Sequence, residues 1–142
     1  MKTQDDILQL MEEQRQTYID AALDIWDYAE PIFEEHKSAH RLAQILEKKG
    51  FTVTFGVADM PTAFIAVWGH GQPVIGYMGE FDALPNLSQE ADNVTREPIP
   101  GKTCGHGCGH HLLCLLYTSL GSANQGLTAQ LSSIPYSLAV LG

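Results

Sequence analysis

Long apolar runs and an excess of basic residues are both missing from this 142-residue sequence. A membrane-spanning helix needs about 20 consecutive apolar residues, and no stretch approaches that length. Lys and Arg number 8 against 17 Asp and Glu, which gives a formal net charge of −9. Such a charge disfavours the phosphate backbone of nucleic acids and anionic membrane surfaces. We therefore expect neither a nucleic-acid partner nor a membrane partner.

Cysteine is scarce as well, with three residues, Cys104, Cys108 and Cys114, close together in the sequence. An odd number cannot form a closed disulfide framework, so free thiols or metal ligands are predicted. The amino terminus, MKTQDDILQLMEEQRQ, lacks the apolar stretch after a basic start that marks a secretory signal. We expect a cytoplasmic protein.

Apolar periodicity predicts two helices followed by three strands. Apolar residues at spacings of three and four indicate amphipathic helices over residues 5–29 and 36–49. The strands are predicted at 51–57, 62–69 and 73–83, and the last is apolar enough to be buried on both faces. The polar, proline-containing segment 84–103 is predicted to be a long surface loop of the kind that often carries function. This order predicts an α/β layered domain.

The segment GHGCGHHLL, residues 105–113, holds the first candidate site residues. Cys108 and His110 are separated only by Gly109, so a tight glycine turn would aim both side chains at one point. Sulfur and imidazole nitrogen together suit zinc or a similar transition metal such as manganese. The alternative is that the histidines are ordinary loop residues and Cys108 a small buried apolar residue.

A pair of acidic residues provides the second candidate feature. Glu80 and Asp82 follow an apolar strand in GEFDALP, and residues two apart on a strand face the same way. Because ligands bind at the carboxyl ends of strands in open α/β sheets, both carboxylates would reach one pocket. The alternative is that they cap the following turn. Together with Cys108 and His110, they would form half of a metal hydrolase site.

A different hypothesis is a small non-catalytic metal- or thiol-binding module. In that case Cys104, His106, Cys108 and His110 would form a closed structural site. Four ligands within so short a segment would be unusually compact for tetrahedral zinc.

Three motifs in order resemble the M20 family of metallopeptidases and amidohydrolases, and within it the branch that contains the B subunit of aminobenzoyl-glutamate hydrolase. The resemblance spans roughly residues 5–113, through IWDYAEPIFEEHKSAHRLAQILEKKGFTV, PTAFIAVWGHGQPVIGYMGEFDALPNLSQ and GHGCGHHLL. It implies the amino-terminal part of a zinc-peptidase-like α/β catalytic domain, with two helices followed by strands of a mixed or parallel sheet.

The resemblance also implies a function and a set of site residues. The reaction would be metal-dependent hydrolysis of an amide bond in aminobenzoyl-glutamate, an N-acyl amino acid or a peptide. Cys108 and His110 match metal ligands, and Asp82 matches the catalytic acidic residue that orients a ligand beside the site. The full-length parent would hold two Zn or Mn ions and form a homo- or hetero-oligomer. Glu80 stands where relatives place His or Asp, and His111 where they place Asn or Asp.

The end of the chain departs from that pattern. Relatives carry the general-base Glu and further metal ligands downstream of the matched region, so we expect an incomplete chain that is inactive alone. Residues 1–113 would be the family portion, and 114–142 a tail from outside the family. The hexapeptide CLLYTS is what one frame of a transposon-end sequence used in sequencing libraries encodes. A divergent native C-terminus is the alternative. Strands that lose downstream neighbours would have unpaired edges.

Overall fold

The computed structural model describes residues 4–113, residue 115 and residues 136–141. Two helices precede a small mixed sheet, and a second pair of short strands follows. The elements are α1 (Gln4–Tyr28), α2 (His36–Lys48), β1 (Thr52–Phe55), a 3-10 turn (Val57–Asp59), β2 (Phe64–His70), β3 (Val74–Met78), β4 (Leu84–Pro85), β5 (Cys104–Gly105) and β6 (Tyr136–Leu141). Neither helix is long and apolar enough to cross a membrane.

Both helices lie where the apolar periodicity places them. Helix α1 ends at Tyr28, just before Pro31, which cannot continue a helix. Helix α2 ends at Lys48, and Gly50 follows with a φ of 85°, a left-handed conformation that glycine adopts without strain. The buried face of α2 includes Leu42 and Leu46, at 1% and 0% exposure. The predicted helices are confirmed to within one residue at each end.

Glu30 joins the two helices and the segment after β3. Its carboxylate accepts the backbone N–H groups of Lys37 and Ser38 at 3.0 and 2.9 Å, and the Ser38 hydroxyl at 2.8 Å. These contacts pair otherwise unsatisfied donors at the start of α2 and place a negative charge at its positive end. The Glu30 carbonyl accepts the Ala83 N–H at 2.8 Å. The chain next to Asp82 is thereby attached to the connection between the helices.

The larger sheet has the strand order β1-β2-β6-β3. β2 is antiparallel to both β1 and β6, whereas β3 and β6 are parallel. The predicted mixed sheet is therefore present. β6 comes from the segment predicted to lie outside the family, and it lies between β2 and β3. β6 is thus a shared neighbour of β2 and β3, and β3 is the last described strand on its side of the sheet. Residues 114, 116–135 and 142 of the predicted tail lie outside the described residues.

The hydrophobic core forms where α2 packs against α1, β1 and β2. Ile25 of α1, Leu46 of α2 and Phe64 of β2 are all at 2% exposure or less. Phe81, in the segment after β3, joins the same cluster and stacks on Phe64 with ring centroids 6.1 Å apart. Burial of these side chains is the main source of stability of the domain.

The third strand departs from its predicted environment. Segment 73–83 is expected to be buried on both faces, but in β3 Val74, Ile75 and Met78 are 52%, 45% and 69% exposed. That prediction is wrong, because β3 is an edge strand of the sheet and α2 packs against β1 and β2. The apolar composition of a strand does not reveal what covers it.

Candidate metal site after the third strand

The acidic pair lies in the extended segment that follows β3. Phe81 is buried at 6% exposure in the core, and it separates Glu80 from Asp82. Since alternate side chains of an extended chain point to opposite sides, anchoring Phe81 in the core directs both carboxylates the other way. The Asp82 side chain is 17% exposed and the Glu80 side chain 70% exposed. The site therefore has a buried side and an open side.

His110 meets both carboxylates. Its Nδ1 lies 2.7 Å from Asp82 Oδ1, and its Nε2 lies 3.3 Å from Glu80 Oε2. One possible ligand atom from each of the three residues lies within 4.8 Å of the other two. The structure thus brings together the acidic pair and one residue of the glycine-rich motif.

The hydrogen bond to Asp82 determines how His110 faces Glu80. A carboxylate can only accept, so Nδ1 carries the proton, and a neutral imidazole then presents a lone pair at Nε2. That lone pair faces the Glu80 carboxylate oxygen at 3.3 Å. Two acceptors at this separation repel each other unless a proton or a metal cation lies between them. The carboxylate–histidine arrangement is the one that orients metal-binding histidines in proteins.

Short strand pairing brings the two parts of the site together. β4 begins two residues after Asp82, and Leu84 pairs with Gly105 of β5 in antiparallel fashion. The chain then makes a turn closed by a 3.1 Å hydrogen bond from the Gly109 N–H to the His106 carbonyl. Gly109 has a φ of 84°, and residues 110–113 are helical. The glycine-rich motif therefore forms the predicted tight turn directly before His110.

The cysteines are not part of the three-residue group. Cys108 is a free, exposed thiol in the turn, and Cys104 is a half-buried free thiol whose Sγ lies 3.7 Å from the Thr103 hydroxyl. Neither joins Glu80, Asp82 and His110 among the described residues. The predicted closed site of Cys104, His106, Cys108 and His110 is not assembled, since the His106 ring bonds the Ile25 carbonyl instead.

Two further histidines pack behind the site against Trp26. The Trp26 ring lies 5.1 Å from the His111 ring and 6.4 Å from the His106 ring, measured between centroids. Burial lowers the pKa of His106, and it lowers the pKa of His111 to about 4, with a smaller contribution from the nearby His106. Both rings are therefore neutral at pH 7.

The sequence predicts the pairing of the two carboxylates but not the positions of the histidines. The alternation of side chains along GEFDALP groups Glu80 with Asp82, but it does not show that Glu80 faces the second ring nitrogen of His110. His106 carries no signal for its buried place, because its partner Ile25 lies 81 residues away in the sequence.

Comparison with known proteins places this chain in a family. No family model matches the chain. The chain is 50% identical over 103 residues to the B subunit of p-aminobenzoyl-glutamate hydrolase from Escherichia coli strain K12, a match that covers 72% of the chain. The fold of this chain resembles that of a dinuclear metal-binding peptidase of the M20 family from Bacillus subtilis, with a TM-score of 0.65 and 21% identity over 92% of the chain. The predicted resemblance to the M20 family is confirmed.

A second solved structure has a similar fold. A protein from methicillin-resistant Staphylococcus aureus described as an aminohydrolase matches 98% of the chain, with a TM-score of 0.75 and 18% identity. The chain spans 21% of the length of the E. coli relative, and 34% and 35% of the two solved chains. The predicted α/β fold, as part of an M20 domain, is therefore confirmed.

Proposed function

We propose that this chain supplies the first part of the metal site of an M20 amidohydrolase that hydrolyses an amide bond. The observation that carries the proposal is the contact of His110 with the carboxylates of Asp82 and Glu80. Oxygen and nitrogen donors in one small cluster suit a divalent metal ion. The 50% identity to one chain of a hydrolase supports the reaction class.

In this proposal each side chain has a separate role. His110 binds the metal through Nε2, and Asp82 holds the imidazole in place through Nδ1. Cys108, two residues earlier in the exposed turn, is the second ligand suggested by the family motif. Glu80 provides a further carboxylate oxygen beside His110. Asp82 is thus the residue that orients a ligand.

The donor set suits zinc or manganese. Zinc accepts imidazole, thiolate and carboxylate ligands, whereas manganese favours the carboxylate oxygens. When bound, such an ion polarises the amide carbonyl and activates water for attack. The name of the Bacillus subtilis structure, a dinuclear metal-binding peptidase, supports a two-metal site in the full-length parent.

The substrate and assembly are proposed from the E. coli relative. Its name supports p-aminobenzoyl-glutamate, or a similar N-acyl amino acid or peptide, as the substrate. That relative is one of the subunits of its enzyme, which supports an oligomeric parent, and a cytoplasmic location is part of the same proposal. Because the chain spans 21% of that relative, we expect the 142-residue polypeptide to be inactive alone. Measurable hydrolysis by it would contradict this expectation.

A chimera tests the proposed function. The matched segment of the E. coli relative is replaced by the corresponding residues of this chain, and hydrolysis of p-aminobenzoyl-glutamate is measured in the native assembly of that relative. We expect hydrolysis that a chelator abolishes, and an Asp82→Asn change that lowers the rate about 10–100-fold, as loss of an outer-shell partner of a metal ligand does. Asp92→Asn, in the exposed loop, is the matched control. A folded chimera without chelator-sensitive hydrolysis would refute the proposal.

A further inference from the structure

His106 is attached to α1 by a buried hydrogen bond. The side chain is 3% exposed, and its Nε2 lies 3.0 Å from the carbonyl oxygen of Ile25 in the last turn of α1. A carbonyl can only accept, so Nε2 carries the proton. This oxygen also accepts the Ala29 N–H at 3.1 Å. A carbonyl in the last turn of a helix lies at the negative end of the helix dipole, which favours a donor there.

The main chain of His106 is hydrogen-bonded within the turn that leads to His110. Its carbonyl accepts the Gly109 N–H at 3.1 Å, which closes the turn before His110. The Gly109 carbonyl in turn accepts the N–H groups of Leu112 and Leu113 at 2.9 and 3.2 Å, at the start of the helical segment that carries His110. His106 therefore joins two elements: its ring bonds α1, and its main chain forms the turn before His110.

The other half of the site is attached to the same end of α1. Ala83, next to Asp82, donates its N–H to the carbonyl of Glu30 at 2.8 Å. The Asp82 side and the His110 side are thus held by two carbonyls only a few residues apart, those of Glu30 and Ile25. The 2.7 Å contact between Asp82 and His110 joins these two sides.

We propose that His106 is a positioning residue of the metal site. Its Nε2–H, bonded to the Ile25 carbonyl, sets the distance of His110 from Asp82 and Glu80. This inference rests on the proposed function, since it concerns the same metal site. The His106 ring bonds the Ile25 carbonyl and neither carboxylate, and its main chain forms the turn before His110. The buried ring packs against Trp26 and His111, and those contacts hold its plane.

Cobalt binding by the 142-residue chain tests this role. Co²⁺ is titrated into the wild-type chain, His106→Leu and His106→Gln, and affinity is measured by the visible absorption of the bound ion. Leucine fills the space without a donor, whereas glutamine keeps an N–H donor. We expect His106→Leu to weaken Co²⁺ binding about 10–100-fold and to alter the absorption spectrum, and His106→Gln to recover most of the loss.

A matched control separates positioning from general destabilisation. Thr62 is 4% exposed, and its hydroxyl donates to Glu35 at 2.7 Å, a buried bond that involves no residue of the site. Thr62→Val should lower thermal stability while leaving Co²⁺ affinity and spectrum unchanged. If His106→Leu binds Co²⁺ as tightly as the wild-type chain, the inference about His106 is overturned while the proposed metal site stands.

Nuclear magnetic resonance provides a readout that does not depend on metal. We expect the ring of His106 to be protonated at Nε2, with slow exchange of that proton, and the imidazole resonances of His110 to shift in His106→Leu. If the wild-type chain binds no Co²⁺, the proposed metal site is wrong, and these resonances still decide whether His106 positions the His110 ring. A proton on Nδ1 of His106, or unchanged His110 resonances in His106→Leu, would overturn it.

Discussion

Replacing His110 with alanine is expected to abolish tight zinc binding by the 142-residue chain. His110 contacts both carboxylates, with its two ring nitrogens 2.7 and 3.3 Å from their oxygens. Removing the ring removes the ligand and also the donor that satisfies Asp82. The loss of affinity should exceed the roughly 10–100-fold that follows removal of an outer-shell partner. Isothermal titration calorimetry with Zn²⁺, and again with Mn²⁺, measures it.

Two comparisons make that result specific to the site. His70→Ala, at the exposed end of β2, removes a histidine away from the cluster and should leave zinc affinity unchanged. Thermal melts of both variants should show that each remains folded. If His110→Ala binds zinc like the wild-type chain, the cluster of Glu80, Asp82 and His110 is not the metal site.

Replacing Gly105 with alanine is expected to destabilise the fold much more than the same change at Gly76. A Cβ at Gly105 would lie 2.0 Å from the Leu87 carbonyl oxygen and 2.6 Å from its carbon, both backbone atoms that cannot rotate away. Overpacking of this kind costs about 1–3 kcal/mol, and a backbone obstacle places the cost at the upper end or beyond. Chemical denaturation should show the loss directly.

Gly76→Ala is the matched control for that change. Gly76 lies in β3, and a Cβ there would meet nothing within 4 Å. Alanine also has the lower backbone entropy in the unfolded chain, so this variant should be as stable as the wild type or slightly more stable. Equal midpoints for Gly105→Ala and the wild-type chain would show that the β5 segment does not approach Leu87 as described.

The helices and the acidic pair follow from local patterns. Apolar spacing of three and four residues, ended by Pro31 and Gly50, predicts both helices closely. The same physical reasoning predicts that Glu80 and Asp82 share a side, because alternation along an extended chain is a property of the backbone alone. Such features require no knowledge of distant residues.

Other features depend on contacts between distant parts of the chain. The exposure of β3 follows from its position at the sheet edge, which its apolar residues do not encode. The insertion of β6 between β2 and β3 joins residues far apart in sequence. The bond between His106 and Ile25 likewise spans 81 residues. Composition identifies the glycine-rich turn as a candidate site, but only the fold shows which histidine faces the carboxylates and which is buried behind them.

X-ray absorption at the zinc edge tests the central claim most directly, because it identifies the atoms bonded to the metal. The 142-residue chain is measured with less than one equivalent of Zn²⁺. The proposed site predicts nitrogen and oxygen neighbours at about 2.0–2.2 Å, including an imidazole, and one sulfur at about 2.3 Å that Cys108→Ser removes. Zinc bound by two or more sulfur atoms, or by oxygen atoms without an imidazole, would contradict a site built on His110, Asp82 and Glu80.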